Sequence, residues 1–180
     1  MLMFPEMREA GKNIFGINNF DTHAYEDKPE LVRYFEREQE LINSLGLCMF
    51  VGTWYDPELL GIPELAELYS AATGWETSSE EITRTADRIF NLEKAFNLIH
   101  AGLGRKDDFP PERCLKEPIT SGPLTGFTYS EEKWNKLLDH YYEIHGWDKN
   151  TGFPTRDCLE NLGIPEVADD LERAGKLGRN

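Results

Sequence analysis

"DKPELVRYFEREQELINSLGLC" (residues 27–48) reads as one amphipathic helix, its stop signal, and a lone cysteine just beyond it. Leu31, Phe35, Ile42 and Leu45 recur at helical spacing, with Tyr34 and Leu41 widening the stripe. The spacing predicts a helix from about Lys28 to Leu45. Asp27 is the expected N-cap, with Glu30 three residues later in capping-box position. Gly46 is the expected stop, because glycine enters the left-handed conformation without a Cβ clash.

The same punctuation recurs along the chain. Pro63 opens and Gly74 closes "GIPELAELYSAATG" (61–74). Ser78 and Glu81 cap a longer helix ending at Gly102, with an expected buried face of Ile82, Ala86, Ile89, Phe96 and Ile99. Ser130 caps another, with Glu131 and Glu132 in its first turn, an apolar side of Trp134, Leu137, Leu138 and Tyr141, and Gly146 at its end. A short helix is expected from Pro154 and Thr155 to Leu162, and a last one from Pro165 into the polar "GKLGRN". No segment alternates with period two. The expected fold class is therefore all-α, an irregular multi-helix domain with long Pro/Gly-rich loops, of which 102–128 is the longest. The expected organisation is an irregular leading segment (1–26), a helical domain (27–175) and a polar tail (176–180). "GIPELA" (61–66) and "GIPEVA" (163–168) resemble a repeat, but glycine ending one helix and proline starting the next accounts for both.

At 180 residues and 39% hydrophobic, the chain has enough apolar material for a real core. A net charge of −14 repels phosphate backbones and argues against nucleic-acid binding. No apolar run approaches the roughly 18 residues of a membrane helix, and the N-terminus lacks the pattern of a signal peptide. Three widely spaced cysteines, Cys48, Cys114 and Cys158, give no disulfide framework and fit a reducing, cytoplasmic setting.

Candidate chemistry is sparse. Cys48 read alone is more often a small core hydrophobe than a ligand, since one thiolate holds no cluster. His23, near Asp21, is either a general acid or base or a solvated loop residue. His100, His140 and His145 lie at or near helix ends, where a cation complements the dipole; His140 is expected on the surface and Tyr141 in the core. In "GRKDDFPPER" (104–113), Arg105, Lys106 and Arg113 form either an anion site or a solvated loop, and Asp107 and Asp108 could accept from an amino heterocycle. There is no glycine-rich phosphate loop, no H-E-x-x-H and no nucleophile elbow.

The ordered series "LINSLGLC" (41–48), "NLEKAFNL" (91–98), "GRKDDFPPER" (104–113), "GPLTG" (122–126) and "LLDHYYEIHGWDKNTGFPTRDCLENLGIPEVADDLE" (137–172) is more specific than any one segment. Together these resemble the C-terminal part of the aldehyde ferredoxin oxidoreductase family, over roughly residues 20–175. The resemblance implies a tungsten (sometimes molybdenum) bis-pyranopterin and a [4Fe–4S] cluster in the complete enzyme, oxidation of aldehydes to carboxylic acids, and ferredoxin as electron acceptor. The family motif Asp-x-x-Gly-Leu-Cys falls on Asn43, Gly46, Leu47 and Cys48. It implies Cys48 as one cluster ligand, with Asn43, Gly46 and Leu47 beside the pterin. Asn43 replaces the motif's Asp, which weakens a bond to pterin N–H groups by about 1 kcal/mol. Cys114 and Cys158 match no family ligand and are expected to be buried thiols. The other three cluster cysteines and the pterin-binding N-terminal part would come from outside this sequence. The chain alone is thus expected to bind neither cofactor and to be inactive, with its catalytic residues unassigned and His23 the one candidate acid or base. The alternative is a stand-alone, cofactor-free helical interaction domain derived from that family. A separated domain is expected to expose the apolar face that packs on its neighbours and to self-associate through it.

Overall fold

The computed structural model of the chain describes residues 12–16, 21 and 23–179. In chain order it places α1 (Lys28–Ser44), a 3-10 turn (Met49–Val51), α2 (Ile62–Thr73), α3 (Ser79–Ala101), a second 3-10 turn (Arg105–Asp107), α4 (Glu112–Lys116), α5 (Glu131–His145), α6 (Arg156–Leu162) and α7 (Pro165–Arg173). Between α5 and α6 two short strands, β1 (Trp147–Asp148) and β2 (Phe153–Pro154), pair antiparallel with Trp147 opposite Pro154. The fold is mostly helical, as expected.

Helix α3 is the spine. Its first half contributes Ile82 and Ala86 to a core with Leu41 and Ile42 of α1 and Ile62, Leu65 and Ala66 of α2. Its second half contributes Ala95 and Leu98 to a core with Leu159 of α6 and Ile164, Val167, Ala168 and Leu171 around α7. A third, aromatic cluster joins Leu138 and Tyr142 of α5 to Trp147, with Phe90 stacked on the Trp147 ring at 5.9 Å. Polar ties cross the same helices. Arg37 of α1 forks onto Asp87 of α3 with two 2.7 Å bonds, a geometry that suits guanidinium and carboxylate. Tyr141 and His145 of α5 donate to the two carboxylate oxygens of Glu36 at 2.6 and 3.0 Å.

Several local expectations change. Asp27 takes a left-handed conformation (φ 61°) and its side chain does not cap α1, so the capping box with Glu30 does not form. The boxes at Ser78 and the cap at Ser130 do form. In α3 Phe96 and Ile99 are 63% and 40% exposed, and the buried residues are Ile82, Ala86, Asn91, Ala95 and Leu98. The buried face shifts because Ala95 and Leu98 share the α6–α7 core and the Asn91 amide accepts from Trp147 Nε1 at 2.9 Å. Residues 102–128 are not all loop, since they contain a 3-10 turn and α4. The two Gly-Ile-Pro-Glu sites also differ. Gly61 precedes α2 in extended backbone, whereas Gly163 ends α6 at φ 78° and Ile164 caps α7. His145 is the last residue of α5, as expected, and is buried there between Glu36 and its own helix. Residues 177 and 178 are docked: Leu177 packs on the α6–α7 core and Gly178 N–H donates to Pro154 O at 2.9 Å. Most of the leading segment lies outside the described residues, but 12–15 are helical and Phe15 is buried against Tyr34 and Phe35.

Candidate functional site

Asn43, Gly46, Leu47 and Cys48 lie together where α1 ends. Leu45 keeps the helical conformation and Gly46 turns left-handed at φ 69°. Gly46 N–H then donates to Asn43 O at 3.1 Å and Leu47 N–H to Ile42 O at 3.0 Å. These two bonds form a Schellman motif, which satisfies helix-end carbonyls and sends the chain off at a fixed angle. Cys48 follows in extended backbone as the residue before the 3-10 turn Met49–Val51, and its side chain makes no capping bond. The opening amides of such a turn, those of Met49 and Phe50, have no partner within it.

Cys48 is exposed, so it is not a core hydrophobe. Asn43 and Gly46 are exposed too, and Leu47 half-buried. Asn43 Oδ1 accepts from Gln39 Nε2 at 2.9 Å, one helical turn back. The other thiols differ. Cys114 and Cys158 are half-buried. Cys158 donates to His145 O at 3.1 Å, and burial pushes its thiol up to about 11, which makes it inert at neutral pH.

The segment that follows Cys48 exposes apolar side chains. Met49, Phe50, Tyr55 and Leu59 are 43%, 56%, 56% and 38% exposed. Phe50, Trp54 and Tyr55 touch one another with ring centroids 5.4 to 6.1 Å apart. A second exposed stripe runs along α3 through Leu92, Phe96 and Ile99 to Leu103, at helical spacing.

One residue of this region escaped the sequence reading. Glu38 is 1% exposed inside α1. Its carboxylate accepts Thr53 N–H at 2.8 Å, Thr53 Oγ1–H at 2.5 Å and Trp54 N–H at 3.3 Å. Burial raises its carboxyl above the ordinary value, against the pull of those donors. The signal was present: Glu38 completes the 31/35/38/42/45 core spacing, a position that calls for an apolar residue.

The remaining candidates lie elsewhere. His23 Nδ1 is 3.3 Å from Asp21 and its ring stands edge-on to Phe127. It lines an open cavity of about 860 Å³ with Arg113, Cys114 and Tyr129, and none of residues 43–48 lines that cavity. The 104–113 charges divide: Lys106, Asp107 and Arg113 are exposed, whereas Arg105 and Asp108 are tied into the fold. Arg105 donates to Lys149 O at 2.6 Å and Asn135 Oδ1 at 2.9 Å, pairs with Asp139 at 2.8 Å and lies over the Tyr142 ring. Asp107 accepts from Gly104 N–H at 2.9 Å, and Asp108 from the Tyr142 hydroxyl at 2.5 Å. Among the described residues, no group of three or more His, Cys, Asp or Glu is placed to hold a metal ion, and no helix is long and apolar enough to cross a membrane.

This arrangement has counterparts. The family described as aldehyde ferredoxin oxidoreductase, domains 2 and 3, matches residues 3–164. The tungsten-containing aldehyde ferredoxin oxidoreductase of Pyrococcus furiosus is 37% identical over 142 residues, 78% of this chain and 22% of that protein. Its counterpart in Thermococcus kodakarensis is 35% identical over 148 residues, 81% of this chain and 23% of that protein. The solved active site complex BamBC of benzoyl coenzyme A reductase with 1,5-dienoyl-CoA superposes with a TM-score of 0.69 at 26% identity, over 91% of this chain and 23% of that one. The chain thus spans less than a quarter of the length of these relatives. The match runs through the anchored turn at Gly46–Cys48, and with it the chain belongs to the aldehyde ferredoxin oxidoreductase family.

Proposed function

We propose that this chain is the C-terminal, cofactor-enclosing segment of a tungsten- or molybdenum-pterin, [4Fe–4S] oxidoreductase that converts aldehydes to carboxylic acids. The observation that carries this reading is the exposed Cys48 thiol, held in an anchored turn and followed in the chain by exposed apolar side chains. An exposed apolar patch of this kind marks a surface that packs on something else.

The residues present fit a cluster. Cys48 makes no capping bond, faces away from the core, and adjoins the opening amides of a 3-10 turn. N–H donors beside a cluster thiolate stabilise its charge and tune its potential. When bound, the metal–pterin and cluster would supply the two-electron redox chemistry by which an aldehyde and water give a carboxylic acid and two protons, with ferredoxin as the electron acceptor. This chain's own part is narrower. Cys48 supplies one of four cluster thiolates, Asn43 offers its side-chain amide to the pterin, and Met49, Phe50 and Tyr55 exclude water once the upstream part covers them. The other three thiolates and the pterin-binding domain belong to that part, so this chain alone is inactive and loads neither cofactor. The setting is cytoplasmic, where thiols stay reduced.

The exposed α3 stripe favours a second reading, a cofactor-free interaction domain that pairs with itself through Leu92, Phe96 and Ile99. Metal analysis separates the two. Iron, tungsten and molybdenum are measured per chain, on protein isolated with its upstream part and without oxygen or chelators. About four irons, lost in Cys48→Ser, are expected. An iron-free assembly, or one that keeps its iron in the variant, overturns the cluster reading.

A further inference from the structure

Both ends of the Cys48 loop return to one helix. At the near end Gly46 and Leu47 bond back to Asn43 and Ile42. At the far end Thr53 and Trp54 donate three hydrogen bonds to Glu38. The loop is therefore closed onto α1 over barely more than one helical turn, with Cys48 between its two anchors. Gly52 makes the closure possible, because a Cβ there would meet Ile42 Cδ1 at 2.7 Å and Glu38 Oε2 at 3.0 Å. Inside the loop Val51 N–H donates to Cys48 O at 3.0 Å and Trp54 Nε1 to Met49 O at 2.5 Å.

A carboxylate at a core position is costly unless its lone pairs are used. An ionised Glu accepts only, and here it meets three donors from the loop. A leucine would fill the volume and leave Thr53 and Trp54 unanchored; a glutamine would turn an N–H2 towards donors. The residue type is thus matched to the loop and not to the core around it.

We propose that Glu38 is the positioning residue for Cys48: by clamping Thr53 and Trp54 it fixes where the thiolate and its neighbouring amides are presented to the cluster. This rests on the reading of Cys48 as a cluster ligand.

The test uses the complete enzyme, with Glu38→Gln and the milder Thr53→Val, which deletes a single donor. Hydrogen exchange in the enzyme should speed up in residues 49–54 by about tenfold or more, while α3 and α7 keep their protection. In the enzyme the reduced cluster's electron paramagnetic resonance spectrum and its reduction potential should move in both variants, more in Glu38→Gln, with thermal stability of Thr53→Val near that of the parent. A faster-exchanging loop with the parent's spectrum, potential and iron content overturns the proposal and leaves Glu38 a structural staple. If Glu38→Gln fails to fold, Thr53→Val decides on the same spectral readout. Cys48→Ser separates the two levels: a cluster spectrum untouched by that change overturns the ligand reading and the Glu38 proposal together, whereas its loss, beside indifferent Glu38→Gln and Thr53→Val spectra, overturns the proposal for Glu38 alone.

Discussion

Segment 104–113 and segment 46–55 dispose of their side chains in opposite ways. The first is dense in charge, and its Arg105 points inward, with 15% of its side chain exposed and held by Lys149, Asn135 and Asp139. The second is apolar, and its rings point outward: Phe50 and Tyr55 are each 56% exposed beside Cys48. Polar groups satisfied within the chain are part of its own scaffold. Apolar groups left in water mark a surface made for something else. The contrast assigns stability to the charged segment and interaction to the apolar one, and each assignment can be broken.

The largest effect is expected at Arg105. Arg105→Leu leaves the Lys149 carbonyl, the Asn135 side chain and the Asp139 carboxylate without their donor and removes a cation from the Tyr142 ring. The expected cost is about 3 kcal/mol, read as a lower urea midpoint. A loss under about 1 kcal/mol would return the segment to the status of a solvated loop.

Tyr142→Phe sharpens the same point. Tyr142 is fully buried, and its hydroxyl donates to Asp108 while its ring packs in the aromatic cluster. The variant keeps the ring and deletes the bond, so the expected cost is smaller, about 1 to 2 kcal/mol by urea unfolding. An unchanged midpoint would show that Asp108 is served by Lys94, 3.7 Å away, without the tyrosine.

Legibility in the sequence follows the same line. Helix ends set by local chemistry were readable: Ser78 with Glu81, Pro63, Gly46 and Gly146 act where the letters place them. Asp27 failed as a cap because its backbone turns left-handed, which no neighbouring letter announces. The buried face of α3 was misjudged because Asn91 and Ala95 are chosen by Trp147 and α7, some 50 to 80 residues away. Cys48 and Asn43 are singled out by family resemblance, not by periodicity. Glu38, with its partners 15 and 16 residues on, was visible only as a charge out of place in a core stripe.

A third prediction concerns a buried charge that is poorly served. Glu40 is 8% exposed, and burial, with Glu93 and Glu36 close by, raises its carboxyl above the usual value of 4.5. An acid whose folded pKa is raised holds its proton more tightly in the folded state. Ionising it therefore removes stability as pH rises from about 4.5 towards the folded value. Glu40→Gln should gain about 1 kcal/mol at pH 7 and nothing near pH 4, measured as paired urea unfolding curves. A variant less stable than the parent at pH 7 would mean that the carboxylate is held by partners, as Glu38 is.

The smallest effect on stability is expected where the largest effect on association is. Phe50→Ser removes a ring that is more than half exposed and lies against the rings of Trp54 and Tyr55. Its stability should change by no more than about 0.5 kcal/mol, the range of surface substitutions. Its tendency to self-associate, followed by sedimentation as concentration rises, should fall, because the apolar patch beside Cys48 is interrupted. Phe96→Ser is the control on the α3 stripe, and the two patches compete for the credit. If Phe96→Ser abolishes association and Phe50→Ser leaves it intact, the α3 stripe is the contact between copies, and the surface around Cys48 is kept for the part of the enzyme that carries the remaining ligands.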